Sequence, residues 1–200
     1  SANTDGRFLE VSNDGSVIAT YIGGNQNPGT DGEKGPVLLF CDGNNITGSK
    51  ALPNTGVFKD GKFCALSGDG KVVFQLRNAN SNQIARYETT NDWGDRNSHQ
   101  DNDTGGYNSG TFSNNVSITN FSVAVSLSDS MTISENSCMS TDETGSTLAF
   151  SDIFESNTDI GRLFVYKNIN NSFVNIYQLD GTTNGTEDKH FGINTQITSD

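Results

Sequence analysis

Two hundred residues, 32% of them hydrophobic and 22 of them glycine, are enough for one modest domain or a piece of a larger one. Twenty-four acids against 12 bases give a formal net charge of −12, which repels both a phosphate backbone and an anionic bilayer. Nucleic acid is therefore not an expected partner, and no apolar run approaches the ~20 residues needed to span a membrane.

The chain opens on Ser1 with neither a basic nor an apolar leader, the pattern expected where a signal peptide is absent or has been removed. Strong helix formers are scarce, while Asn, Ser, Thr, Gly and Asp are abundant; these residues favour turns and strand ends. Short apolar runs bounded by such residues predict an all-β fold.

In chain order, the first element is a hairpin over residues 10–21 (EVSNDGSVIATY), where Asp-Gly between apolar runs supplies a tight turn. Residues 36–41 (PVLLFC), the turn DGNN and residues 46–52 predict a second hairpin. The first pattern returns at 65–76 (ALSGDGKVVFQL) and at 139–150 (MSTDETGSTLAF), and begins again at Phe191 (FGINTQITSD). Taking Asp14, Asp69, Asp142 and Asp200 as equivalent gives spacings of 55, 73 and 58 residues. After the third copy comes another second hairpin, at 162–166 and 173–179 around KNINNS. Two hairpins per repeat make a four-stranded antiparallel sheet. The middle repeat is interrupted: residues 84–89 predict its third strand, and a polar loop over 91–115 follows. Residues 121–127, with 131–134 as a further hairpin arm, then complete the sheet.

These strings carry a resemblance. HFGINTQITSD, preceded by GRLFVYKNINNSFVNIYQLDG, resembles the FG-GAP-like and WD40-like β-propeller repeats of secreted and cell-surface proteins. Phe191, Gly192, Ser199, Asp200, Gly161, Val165, Tyr166, Phe173 and residues 178–181 fall on that pattern. The resemblance implies one region over 1–200 containing about three and a half blades. The repeats run approximately over 7–56, 57–136 and 137–186, with a partial copy at 187–200. It implies an extracellular or cell-surface location and leaves the activity open, because propellers serve adhesion, binding and catalysis alike. The alternating-acid calcium loop of the integrin type is missing from all four Asp turns.

Catalytic constellations are not evident. His99 and His190 are the only histidines, and no G-x-S-x-G, H-E-x-x-H or phosphate-loop motif occurs. Residues 140–147 approach a sialidase-type Asp box but carry one residue too many. The best metal candidate is the acidic stretch from Asp92 to Gly106, in which Asp101 and Asp103 partly match a calcium loop; it lacks the Glu that closes such a loop. Asn45, Asn102, Asn115, Asn120, Asn170 and Asn184 lie in glycosylation sequons. Cys41, Cys64 and Cys138 read as small buried apolar side chains, with Cys64 and Cys138 at one repeat position.

The expected function is a secreted or surface-exposed structural or binding protein, as in a subunit of an extracellular filament, appendage or particle. Protein partners or self-assembly would be its mode of action. The alternative is a carbohydrate-binding or glycoside-hydrolysing propeller whose site is formed by loop acids and Trp93. The partial final repeat predicts that residues 190–200 pair with something outside residues 1–200.

Overall fold

A computed structural model describes residues 9–20, 37–51, 64–77, 83–89, 93, 120–126, 138–152, 161–181 and 196–197. These residues form twelve strands and no helix. The first sheet holds β1 (Leu9–Val11), β2 (Val17–Thr20), β3 (Val37–Asp42) and β4 (Asn45–Ala51). The second holds β5 (Cys64–Leu66), β6 (Val72–Arg77), β7 (Gln83–Glu88) and β8 (Asn120–Ser126). The third holds β9 (Met139–Thr141), β10 (Thr147–Asp152), β11 (Arg162–Ile169) and β12 (Ser172–Asp180). Each sheet is an antiparallel meander in sequence order, and none of them closes on itself among the described residues.

The four-stranded antiparallel sheets expected from the repeat pattern are therefore present. β8 pairs with β7 across the long polar connection, Tyr87 lying opposite Phe121, as the sequence predicted. The arm expected at 131–134 lies outside the described residues. So does the partial fourth repeat, apart from Gln196 and Ile197, which belong to no strand.

Three turns of one design join the first two strands of each sheet. Gly15, Gly70 and Gly145 have φ of 72°, 70° and 66°, and each donates its N–H to the carbonyl three residues earlier, on Ser12, Ser67 and Asp142. A positive φ is readily available only to glycine, so these three positions fix the turns. They also fix the repeat register and correct one expected equivalence. Asp142 occupies the place of Ser12 and Ser67; the residue matching Asp14 and Asp69 is Thr144. Cys64 likewise matches Leu9 and Met139, so Cys64 and Cys138 are not at one position. The next link is common to all three sheets: the N–H groups of Cys41, Thr89 and Asn168 bond the carbonyls of Ser16, Lys71 and Ser146.

The second hairpins turn differently. Asn170 and Asn171 both take positive φ, 53° and 64°, as a type I′ turn requires between strongly twisted strands. Asparagine tolerates this region better than other residues with a Cβ.

The core lies between the sheets, in two layers. Val17, Ala19, Leu38 and Phe40 from the first sheet meet Cys64, Leu66, Val73, Ala85, Tyr87 and Trp93. From the other face of the second sheet, Ala65, Val72, Phe74 and Ile84 meet Met139, Leu148, Phe150 and Phe164. Adjacent residues of a strand point to opposite faces. The middle sheet therefore needs apolar residues in unbroken succession, and Val72-Val73-Phe74 supplies them. Aromatic contacts bind the second layer: Phe74 meets Phe173 edge-on at 5.5 Å, while Phe150 stacks on Phe164 at 5.3 Å and on Tyr166 at 5.6 Å.

The turn glycines also pack against the preceding sheet. A Cβ at Gly145 would lie 2.6 Å from Val72 Cβ, and one at Gly70 would lie 3.0 Å from Val17 Cγ2. At Gly15 nothing stands within 4 Å. Gly15→Ala should therefore cost about 1–2 kcal/mol, from the left-handed backbone alone. Gly145→Ala should cost about 1–3 kcal/mol more, because the core valine must move as well. Urea unfolding of the two variants measures the difference, and equal midpoints would refute this account of the turn contacts.

Candidate functional site

Strand direction decides what shares an end of the molecule. In a four-stranded meander, the connection between the first and second strands lies at the same end as that between the third and fourth. The three Asp turns therefore share an end with the Asp42–Asn45 turn, the Asn170–Asn171 turn and both ends of the 90–119 connection. Trp93 shows where that connection starts. Its ring is buried in the core between the first and second sheets, and its Nε1–H donates to the Gly70 carbonyl at 2.7 Å. This end carries the candidate surface.

At its centre the turns are hydrogen-bonded to one another. Asn13 N–H donates to Gly68 O at 2.8 Å, and Asp69 N–H donates to Glu143 O at 2.9 Å. Asn13 Nδ2 also reaches Glu143 Oε2, 130 residues away, directly over Gly68. Any side chain at Gly68 would push into that bond. One ledge thus draws on all three repeats.

Within each turn the acids are engaged locally. Ser12 Oγ donates to Asp14 Oδ1 at 2.7 Å and accepts the Val17 N–H at 2.9 Å. Asp14 Oδ1 also accepts the Ser16 N–H at 2.9 Å. Ser67, Asp69, Lys71 and Val72 repeat these contacts, with Ser67 Oγ to Asp69 Oδ1 at 2.6 Å. In the third turn Asp142 does both jobs: Oδ1 accepts the Ser146 N–H at 2.7 Å and Oδ2 accepts the Ser146 hydroxyl at 2.6 Å. These carboxylates close hairpins.

Their ionisation follows from these bonds. The Ser16 N–H and then the Ser12 hydroxyl hold the Asp14 carboxyl down at about 2. For Asp142, burial pushes upward, but the Ser146 hydroxyl and the backbone N–H groups of Thr147 and Ser146 prevail and lower it. Glu10 shifts the other way, raised by burial. Its neighbour Cys64 is pushed far up by burial and then by the Glu10 charge, so its thiol stays protonated and is a poor nucleophile. All three cysteines are free thiols; only Cys64 is buried, and Cys41 and Cys138 are partly exposed. Along β7, Arg86 and Glu88 lie two residues apart on one face and form an ion pair at 2.6 Å.

The expected site residues divide accordingly. Asp101 and Asp103, with His99, His190, Asn102, Asn115 and Asn184, lie outside the described residues. Asn45 and Asn170 are exposed at the turn end, and Asn120 begins β8 there. Among the described residues no group of three or more His, Cys, Asp or Glu side chains gathers around a point that could hold a metal ion. No described helix is long and apolar enough to cross a membrane. Sequence reasoning missed the Asn13–Glu143 link, and it set Trp93 among the loop acids of an alternative site, whereas the ring is buried in the core and acts as an anchor. A lone Trp closely following a strand was a usable signal for the second; nothing local signals the first.

With this geometry in place, comparison with protein-family models and with curated proteins finds no match.

Glu10 gives a pH-dependent prediction. Because its folded pKa lies above the ordinary 4.5, the folded state binds its proton more tightly than the unfolded state does. Stability from this group is complete in acid and is lost as pH rises through the folded value. Glu10→Gln should therefore raise the urea midpoint at pH 7 and leave it unchanged at about pH 3. A gain of equal size at both pH values would show that the effect is not ionisation.

Proposed function

We propose that this chain is a secreted or surface-exposed structural and binding module. Its three sheets are successive blades of a β-propeller-type array, and its partners are proteins, further copies included. One observation carries the reading: three like sheets follow one another in a single direction, each Asp turn hydrogen-bonded to the next. That arrangement is an extendable scaffold, in which stability comes from contacts between neighbouring repeats.

Two further features support it. The Ser, Asp and Glu side chains at the turn end are engaged in holding hairpins and neighbouring turns, which suits a rigid ledge more than a reacting centre. The net charge of −12 suits a protein that must stay dispersed among other macromolecules. Exposed Asn45 and Asn170 at the same end would accept glycans in a secretory route.

Membrane-impermeant biotinylation of intact source cells and of their medium tests location. The chain should be labelled without lysis, and labelling confined to lysed cells would overturn the reading. A glycosidase panel tests the mode of action: no sugar substrate should turn over, and sustained turnover of one would replace the scaffold reading with an enzyme.

A further inference from the structure

Let the leading face of a sheet be the one turned toward the next sheet in sequence, and the trailing face the one turned toward the previous sheet. At both internal contacts the first strand of one sheet lies against the inner part of the sheet before it: β5 packs on β1 and β2, and β9 packs on β5. The leading faces are buried there as far across as the third strand. Ala19 and Leu38 of the first sheet are wholly covered, as are Phe74 and Ile84 of the second.

The leading face of the third sheet carries Ser140, Ala149, Ser151, Leu163 and Val165. No sheet follows it among the described residues, yet it is covered, and unevenly. On the inner two strands Ala149 is 4% exposed, Ser151 is 0% exposed and the Ser140 hydroxyl oxygen is buried. On β11 Leu163 and Val165 are only half-buried, although their counterparts Ile84 and Leu38 are covered completely. On β12 all but one of the side chains are exposed. Cover that is complete over β9 and β10, partial over β11 and gone at β12 has the width of one strand at the inner edge. That is the place β5 and β9 take on the sheets before them.

Gln196 and Ile197 match such a strand. The turn motif returns toward Asp200, which can stand in the place of Asp14 or in the place of Asp142. These alignments differ by two residues, so both put Ile197 on the trailing side and Gln196 on the leading side. In one, Ile197 matches Val11, Leu66 and Thr141; in the other, it matches Leu9, Cys64 and Met139. Burial agrees, since Ile197 is half-buried and Gln196 is exposed. We infer that the segment 191–200 lies on the leading face of the third sheet of its own chain, over β9 and β10, with Ile197 turned onto that face. The small side chains of Ser140, Ala149 and Ser151 leave room for a branched one. The array thereby gains a fourth place, with Gln196 facing onward. The inference rests on the repeat stacking of the scaffold reading and not on its location, so surface labelling and the experiment below fail separately.

Hydrogen exchange read by mass spectrometry on the whole chain tests this. Ile197→Asp should speed exchange roughly tenfold or more in the peptide spanning 138–152 and leave the peptide spanning 9–20 unchanged, because only the third sheet loses its cover. Gln196→Asp, at the exposed position beside it, should leave both peptides at the wild-type rate. Protection of 138–152 in the wild-type chain should also stay the same when the protein is diluted about a hundredfold, as an intrachain contact requires. Wild-type exchange of 138–152 in Ile197→Asp would overturn the inference, since another segment would then cover that face. Protection that falls on dilution would overturn it as well, because the cover would then come from a second copy. Where Ile197→Asp speeds exchange in both peptides, Ile197→Ser takes its place, and a rise confined to 138–152 is still required.

Discussion

Each sheet starts on a strand of three residues, too short to hold itself in place, and the structure depends on how the following turn satisfies its backbone. The Ser12 carbonyl is taken by Gly15 N–H, so it is not available to Val17, whose N–H would otherwise be left without its ladder partner. The Ser12 hydroxyl accepts that bond and donates its own hydrogen bond to Asp14. A side chain thereby replaces a missing backbone acceptor at a site where Ser12 is almost wholly buried. An unpaired polar group there would cost about 1–3 kcal/mol, so the hydroxyl, the carboxylate and the left-handed glycine form one unit. Because the glycine has no side chain, the turn can sit against the preceding sheet and bond the next turn. Closing the hairpin and stacking the repeats are therefore one requirement.

That dual requirement explains why the third turn departs from the first two in sequence and not in geometry. Asp142 stands where serine stood. One carboxylate takes both roles, accepting the N–H two positions beyond the apex with one oxygen and the Ser146 hydroxyl with the other. The residue freed from service, Thr144, is exposed. Reading the motif as a string misaligns it by two residues, because Asp142 matches Asp14 in type and Ser12 in place. The φ of Gly145 resolves the register: matching the strings on their glycines, not on their aspartates, is what the structure requires.

Much of the rest was legible for a physical reason. Hairpins are local, and Asp-Gly, Gly43 and the Asn170–Asn171 pair announce the turns through their tolerance of positive φ. The return of the chain at β8 could be read because β7 lacked a fourth-strand partner and an apolar run waited beyond the polar stretch. Contacts between repeats were not legible. The Asn13–Glu143 bond joins residues 130 apart, and a polar side chain in a turn looks the same whether it faces water or a neighbouring turn. Which cysteine is buried was equally hidden: Cys41 and Cys64 both end or begin apolar strands, yet only Cys64 lies between two sheets.

The middle sheet shows what this architecture demands of the ends. Its two buried faces need apolar residues in succession, and β6 provides them. A sheet at the end of a stack needs only one such face, and the other should be polar, as the capping repeats of linear arrays are. The first sheet does not follow that rule, since Leu9 and Val11 alternate with Glu10 so that the acid, not the two apolar residues, faces the neighbouring sheet. In the third sheet Val174, Tyr177 and Leu179 are exposed along the edge strand β12, and so is Gln178, which lies opposite Phe164 in register. Isolated apolar side chains on a surface need no explanation; Leu9 and Val11 stand in register on one face of the first sheet. Burying Glu10 raises its pKa and so opposes folding at neutral pH; one residue of register would have exposed it and hidden its neighbours. The observed register keeps Leu9 and Val11 on the face that Cys64, Leu66 and Met139 occupy in the other two sheets.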